Sequence, residues 1–292
     1  MDRFVFLTVD GLAKGAVFAA FALAIVLIWR GARIVNFAQG AMAVAAVYVA
    51  YSVTQATGSY WLGFAAALAA GLALGALIER TVMRFVEHSS PLNSVIVALG
   101  LVLLLQAVMG GIYGNEFRPL HVPISRTGIT VGGVSLLSRY DIFVFGAVLV
   151  VVVLLALLFT RTAIGLRMRS SAFAPEVSRL LGVNVAGMLT LGWALAAAVG
   201  ALAGMLVIPT ELGAHPNAMD FVFVSAFTAA VVGGLDSPVG AVVGGLAVGL
   251  VLSYVSGYAG ADVTPLAALA LLLAVLLIRP DGLFSGIRTR HV

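Results

Sequence analysis

From Ile142 to Thr160 the chain runs 19 residues without a charged side chain, and from Leu180 to Thr210 it runs longer still. Such runs dictate the solvent. A bilayer core of about 30 Å takes roughly 20 apolar residues as a helix, and in lipid every backbone group must be satisfied within the segment. The rest of the chain agrees. Hydrophobic types make up 62% of the 292 residues and charged types 10%, with mean hydropathy +1.14. A soluble domain carries about 25% charged residues, so an ordinary soluble enzyme is excluded.

Cutting the runs at turn signals predicts spans near 12–29, 36–54, 61–78, 94–113, 142–159, 186–208, 221–235, 239–256 and 265–278. The expected fold class is an all-α integral membrane protein. It is a polytopic bundle of eight to nine spans, some short or broken, forming a single domain over 1–292. The stretches between Asp220 and Asp236 and between Asp262 and Arg279 are short. Span 36–54 is rich in Ala and Gly and opens on Asn36 and Gln39, which suits a broken or re-entrant segment. Thr54 to Ser59 reads as a tight turn.

One assignment places Arg30, Arg33, Arg80, Arg84, Arg161, Arg167, Arg169, Arg179, Arg279, Arg288 and Arg290 on a single side, 11 of the 16 basic residues. The positive-inside rule makes that side the cytoplasm, with the N-terminus outside and the C-terminus inside. The net charge of +4 is then topological and indicates the lipid bilayer, not nucleic acid, as partner. The apolar run that ends at Arg30 has no small-residue cleavage site and reads as a retained helix. Gly71/Gly75, Gly200/Gly204, Gly240/Gly244 and Gly245/Gly249 stand at GxxxG spacing, which suits close packing within one bundle, or else a subunit interface.

Two loops are long. The outer one, about 114–141, carries Pro119, Pro123 and Gly132-Gly133, with Ile129–Val131 as a candidate strand. The inner one, about 160–184, carries four arginines and, before the last of them, Ala174-Pro175-Glu176. Pro175 suits a first helical turn, Glu176 the positive helix end, and Gly182 a left-handed stop. This predicts a short amphipathic helix on the cytoplasmic surface. Such a helix can dock a second protein and pass its movement to the flanking spans; a merely solvated loop is the competing reading.

The chemistry of catalysis is missing. There is no GxxxxGK[ST] phosphate loop, no GxSxG and no cysteine, and the four histidines lie far apart. No metal site or cofactor is therefore expected, and no ATP hydrolysis by this chain. Glu79, Asp141, Asp220, Asp236 and Asp262 are all expected at span ends. That leaves no mid-span carboxylate for an ion-coupled carrier, the alternative class. Gln106, Thr190, Ser225, Thr228 and Ser253 are the sparse polar residues inside spans.

Five stretches, in order, resemble the permease subunits of bacterial branched-chain amino-acid ABC importers. They are Arg33-Ile-Val-Asn-Phe-Ala-Gln-Gly40 following Gly11-Leu12, Ile78-Glu-Arg80 with Ser90-Pro-Leu92, Arg161 through Pro175-Glu176 to Asn184, Val232-Gly-Gly-Leu-Asp-Ser-Pro-Val-Gly-Ala241, and Arg279-Pro-Asp-Gly-Leu-Phe284. Gln39 stands where such permeases usually carry histidine, which removes a titratable group. The resemblance implies a multi-pass protein of the bacterial inner membrane. It also implies a related permease as heterodimer partner, two cytoplasmic ATPase subunits that bind ATP and Mg, and an extracytoplasmic substrate-binding protein. Ala174, Pro175, Glu176, Arg179, Leu180 and Gly182 would meet an ATPase. Asn36, Gln39, Gln106, Gly233 and Gly234 are candidates for the translocation path or gate, against capping for Asn36 and packing for Gln106. Gly233-Gly234 would form a tight inner turn or a re-entrant tip. The same machinery carrying urea, amides or aromatic acids is the alternative cargo.

Overall fold

A computed structural model describes residues 2–86, 90–131, 134–210, 213–279 and 282–284. Gly132-Gly133, Pro280-Asp281, Arg288 and Arg290 fall outside them. Helices occupy every expected span: α1 (Asp2–Ala32), α2 (Gln39–Thr57), α3 (Tyr60–Ile78), the short α4 (Arg84–Val86), α5 (Pro91–Tyr113), α6 (Arg139–Arg161), α7 (Ala163–Phe173), α8 (Pro175–Leu180), α9 (Val185–Val207), α10 (Asp220–Gly233), α11 (Pro238–Tyr258) and α12 (Thr264–Ile278). Seven helical runs among the described residues are long and apolar enough to cross a membrane. The two exceptions, α2 and α10, are spans expected to be broken and short, whereas the stretch after Asp262, also expected to be short, is long enough as Ala261–Ile278. The candidate strand is real: β1 (Gly128–Val131) pairs antiparallel with β2 (Val134–Ser138) in the outer loop.

Small residues set the packing. In lipid, apolar side chains gain little by hiding from acyl tails, so helices join where backbones can approach closely. A Cβ on Gly245 would lie 2.4 Å from the Ala19 backbone, and one on Gly249 would lie 2.3 Å from Gly15. Antiparallel α1 and α11 therefore touch backbone to backbone. Gly71 and Gly75 seat α3 against Ala197 and Trp193 of α9 in the same way. Gly240 and Gly244 hold α11 against Gly233 and Ala229 of α10. Gly200 and Gly204 likewise meet Gln39 and Val47 of α2, so all four glycine pairs singled out above pack inside this chain. Helix α1 is the axis of the bundle: 83% of its most apolar 18-residue stretch is buried, against 6% for α12 and 11% for α5. The latter two present Leu103, Leu104, Leu273 and Leu277 outward.

Helix α3 continues past its expected limit. A π-helical turn, Glu79–Met83, joins it to α4, so the helical run extends from Tyr60 to Val86. Glu79 is fully buried within that run. The expectation that Glu79 marks the end of its span is corrected here. The π turn carries the helix through the charges that were read as its end. Its wider i→i+5 bonding also brings residues five apart to one face. Arg84 then reaches back to Glu79, Nε to Oε1 at 3.1 Å and Nη2 to Oε2 at 3.0 Å, and Thr190 of α9 donates to Oε2 at 2.5 Å. A buried carboxylate with a bidentate arginine and a hydroxyl is a structural clasp.

The arginines sort to two ends. Arg30 and Arg33 close α1 beside Arg169 of α7 around one cleft, and Arg33 pairs with Asp236 in the α10–α11 turn. At the other end Arg126 donates to the Pro209 carbonyl, and Arg118 pairs through its backbone with Ala214.

Candidate translocation and coupling sites

Between α1 and α2 the chain leaves the helix for residues 33–38. Asn36 is not the N-cap of α2, a position held by Ala38. Its Oδ1 accepts from the Ala38 N–H at 3.0 Å and its Nδ2 donates to Gln39 Oε1 at 3.0 Å. Gln39 Nε2 donates onward to the Ala196 carbonyl at 2.8 Å. Ala196 stands at the midpoint of the 23-residue α9. Helix α2 therefore begins near mid-depth, and Asn36 and Gln39, both fully buried, fasten its start to α9.

Helix α10 begins at the same level. Gly40 faces the Met219 carbonyl and the Phe223 side chain, so the two helix N-termini converge. From Ala214, level with the end of α5, the chain descends through the turn 216–219 to Asp220. Gln106, about two turns inside α5, donates to Asp220 Oδ1 at 3.2 Å, and Asn217 Nδ2 donates to Oδ2 at 3.0 Å. Asp220 is exposed. Along α10, Phe223 and Phe227 fall on the same face and are half-buried. They stack in parallel at 6.1 Å, and Phe37 leans on both, at 5.9 and 6.2 Å. Reading the sequence singled out Gln106 and missed its partner. The 14-residue length of α10, short for a span, is the sequence signal that goes with its start lying level with Gly40 of α2.

Gly233 and Gly234 form the tight turn at the arginine-rich end of α10, where Gly234 has φ +94°. Ser237 caps α11 by accepting from Gly240 N–H at 2.9 Å. The C-terminal segment braces the turn, with the Leu283 N–H donating to the Val232 carbonyl at 2.9 Å.

The inner loop is two helices, α7 and α8, where one was expected. Thr162 caps α7 by accepting from Gly165 N–H at 3.1 Å. Ala174 breaks the chain with φ −141° and ψ 76°, and Pro175 opens α8. Gly182, at φ +79°, ends it: the Val183 N–H returns to the Ser178 carbonyl at 2.9 Å. Phe173 is 92% exposed, Leu180 88% and Leu181 79%. Beyond the ends of the spans such side chains meet water unless another surface covers them. Glu176 and Arg179, both exposed, share this short helix.

Interrupted spans meeting at mid-depth, glycine-packed seams and an apolar arm beyond the membrane define a multi-pass helical transport protein. Residues 7–279 match the family described as the branched-chain amino acid transport system permease component, and the chain belongs to that family. It is 30% identical, over 94% of each chain, to the high-affinity branched-chain amino acid transport system permease protein LivH of Escherichia coli K12. It is 28% identical to the BraD protein of the same description from Pseudomonas aeruginosa, over 95% of this chain and 94% of the relative. It is 27% identical to a probable LivH of Methanocaldococcus jannaschii, over 90% and 86%.

Proposed function

We propose that this chain is the membrane permease subunit of an ATP-driven importer of branched-chain amino acids. It forms half of the path beside a second, related permease. Two cytoplasmic ATPase subunits bind ATP and Mg, and an extracytoplasmic binding protein delivers the cargo. The membrane is the bacterial inner membrane, with the N-terminus outside and the arginine-rich end and C-terminus in the cytoplasm.

The observation that carries this reading is the α7–α8 arm. Phe173, Leu180 and Leu181 offer an apolar contact beyond the membrane, and Glu176 and Arg179 beside them offer charge for register. An ATPase seated there moves α6 and α9, which the arm joins. Ala174 and Gly182 are its joints and Pro175 its rigid start.

The cargo path runs along the exposed stripe of α10. A carboxylate facing acyl chains at this depth is costly, so Asp220 faces water or protein. With Gln106 it offers an acceptor to the ammonium group of an amino acid, and Phe37, Phe223 and Phe227 offer an apolar wall to its side chain. Asn36 and Gln39 fix the start of α2 beside this stripe, and Gly233 and Gly234 form the turn at its cytoplasmic end.

Tagged chain extracted from its native membrane in mild detergent should recover the second permease and two ATPases, and Glu176→Arg should lose the ATPases alone. Recovery of the wild-type chain by itself, under gentle extraction, would overturn the importer reading.

A further inference from the structure

At the arginine-rich end a cleft of about 150 Å³ opens between the last turns of α1, the end of α6, helix α7 and the first turns of α9. Its polar lining is Arg30, Arg33, Arg169, Ser171 and Trp193. Arg33 is engaged with Asp236. Arg30 and Arg169 form no ion pair among the described residues. The Ser171 hydroxyl and the Trp193 indole nitrogen are buried and have no hydrogen-bond partner, in residues 7% and 1% exposed.

The chemistry of this set is one-sided. An indole N–H and a guanidinium only donate, and a serine hydroxyl readily donates. Buried donors left unmatched are costly. The two guanidiniums that line the opening without an ion pair call for an anion rich in acceptor oxygens, and a phosphate answers that description. The remaining lining, Phe159 and Met168 among it, is apolar and suits no free ion. Arg30 lies in the last turn of α1, the depth at which lipid headgroups meet a helical bundle.

We infer that this cleft binds the phosphate of an anionic phospholipid, with Arg30 and Arg169 around the headgroup and the apolar wall along its acyl chain. The lipid would bridge α7 to α1 and α9, bracing the arm against the bundle. This inference goes beyond the importer reading and does not depend on the cargo.

The test uses the purified full chain in maltoside detergent, titrated with dioleoyl phosphatidylglycerol, dioleoyl phosphatidylcholine or inorganic phosphate and read by native mass spectrometry. One phosphatidylglycerol should bind saturably and phosphatidylcholine should not. Arg30→Gln with Arg169→Gln should weaken binding at least roughly tenfold, while Arg139→Gln, at the far end, leaves it unchanged. Quenching of Trp193 by acyl-brominated lipid, in a chain carrying Trp29→Phe and Trp61→Phe, gives a second reading should the arginine variant fail to fold. Equal binding or quenching by the two lipids overturns the site. Displacement of phosphatidylglycerol by millimolar inorganic phosphate overturns the lipid and leaves free phosphate as the occupant.

Discussion

The Gln39 side chain donates to the carbonyl of Ala196 across 2.8 Å, which ties the first residue of α2 to the middle of α9. Replacing Gln39 by Leu keeps the volume and removes both bonds, leaving the Asn36 amide without its Gln39 acceptor in a fully buried position. An unsatisfied buried polar group costs about 1–3 kcal/mol. Gln39→Leu should lower the melting temperature of the detergent-solubilised chain; an unchanged melt would show that the tie holds nothing.

The Glu79–Arg84 clasp behaves differently under single and double substitution. Arg84→Met leaves the Glu79 carboxylate buried, with Thr190 as its remaining partner among the described residues; breaking a fully buried pair costs about 3–5 kcal/mol, and the loss here should be smaller because Arg84 is partly exposed. Adding Glu79→Gln removes the stranded charge and should recover much of the loss. Melting temperatures of the wild type, both single variants and the double variant form the cycle. Additive losses would show that the two side chains do not interact.

Asp220 should matter to transport and not to folding. In membranes containing the whole importer, Asp220→Asn should raise the leucine concentration for half-maximal uptake roughly tenfold, as expected for loss of a charged hydrogen bond. Asp220→Glu should retain most of the uptake. The chain has no cysteine, so Phe223→Cys introduces a unique thiol. A charged, membrane-impermeant thiol reagent should modify it and spare Leu273→Cys on α12. Protection of both thiols would place the α10 stripe away from water.

The seam between α1 and α11 has no spare space. A methyl group on Gly249 would lie 2.3 Å from the Gly15 backbone, where no flexible side chain can move aside. Gly249→Ala should destabilise the chain by about 1–3 kcal/mol through overpacking. Gly100→Ala, with open space around it, should be neutral; equal effects in thermal melts would show that the seam is looser than its geometry.

Much of this architecture is legible in sequence because lipid imposes long apolar runs and sends arginines to one end. Pro175, Glu176 and Gly182 located α8 because proline, acid and glycine mark helix ends wherever they occur. Depth was harder to read. Asp220 and Glu79 both look like the edges of spans, since a charge beside an apolar run ordinarily ends it. A π turn carries the helix through Glu79, and the turn before α10 brings Asp220 level with the start of α2. The π turn leaves no local signal, and for Asp220 the only one is the shortness of α10; the partners that fix both, Thr190 and Gln106, lie far along the chain. The roles expected of Asn36 and Gln39 were framed as lining or capping. Their bonds to each other and to α9 became visible only in three dimensions.

The pairing of α1 with α11 also sets a schedule for biogenesis. The first helix enters the bilayer early, yet the glycines that receive it are translated more than 200 residues later. At about 5–20 residues per second that interval is on the order of 10–50 s. During it α1 stands in lipid with its small-residue face unpartnered, where insertion factors and quality-control proteases can reach it. Substitutions in α11 should therefore show themselves first as lost yield of the newly made chain, before any defect in the transport rate of the molecules that mature.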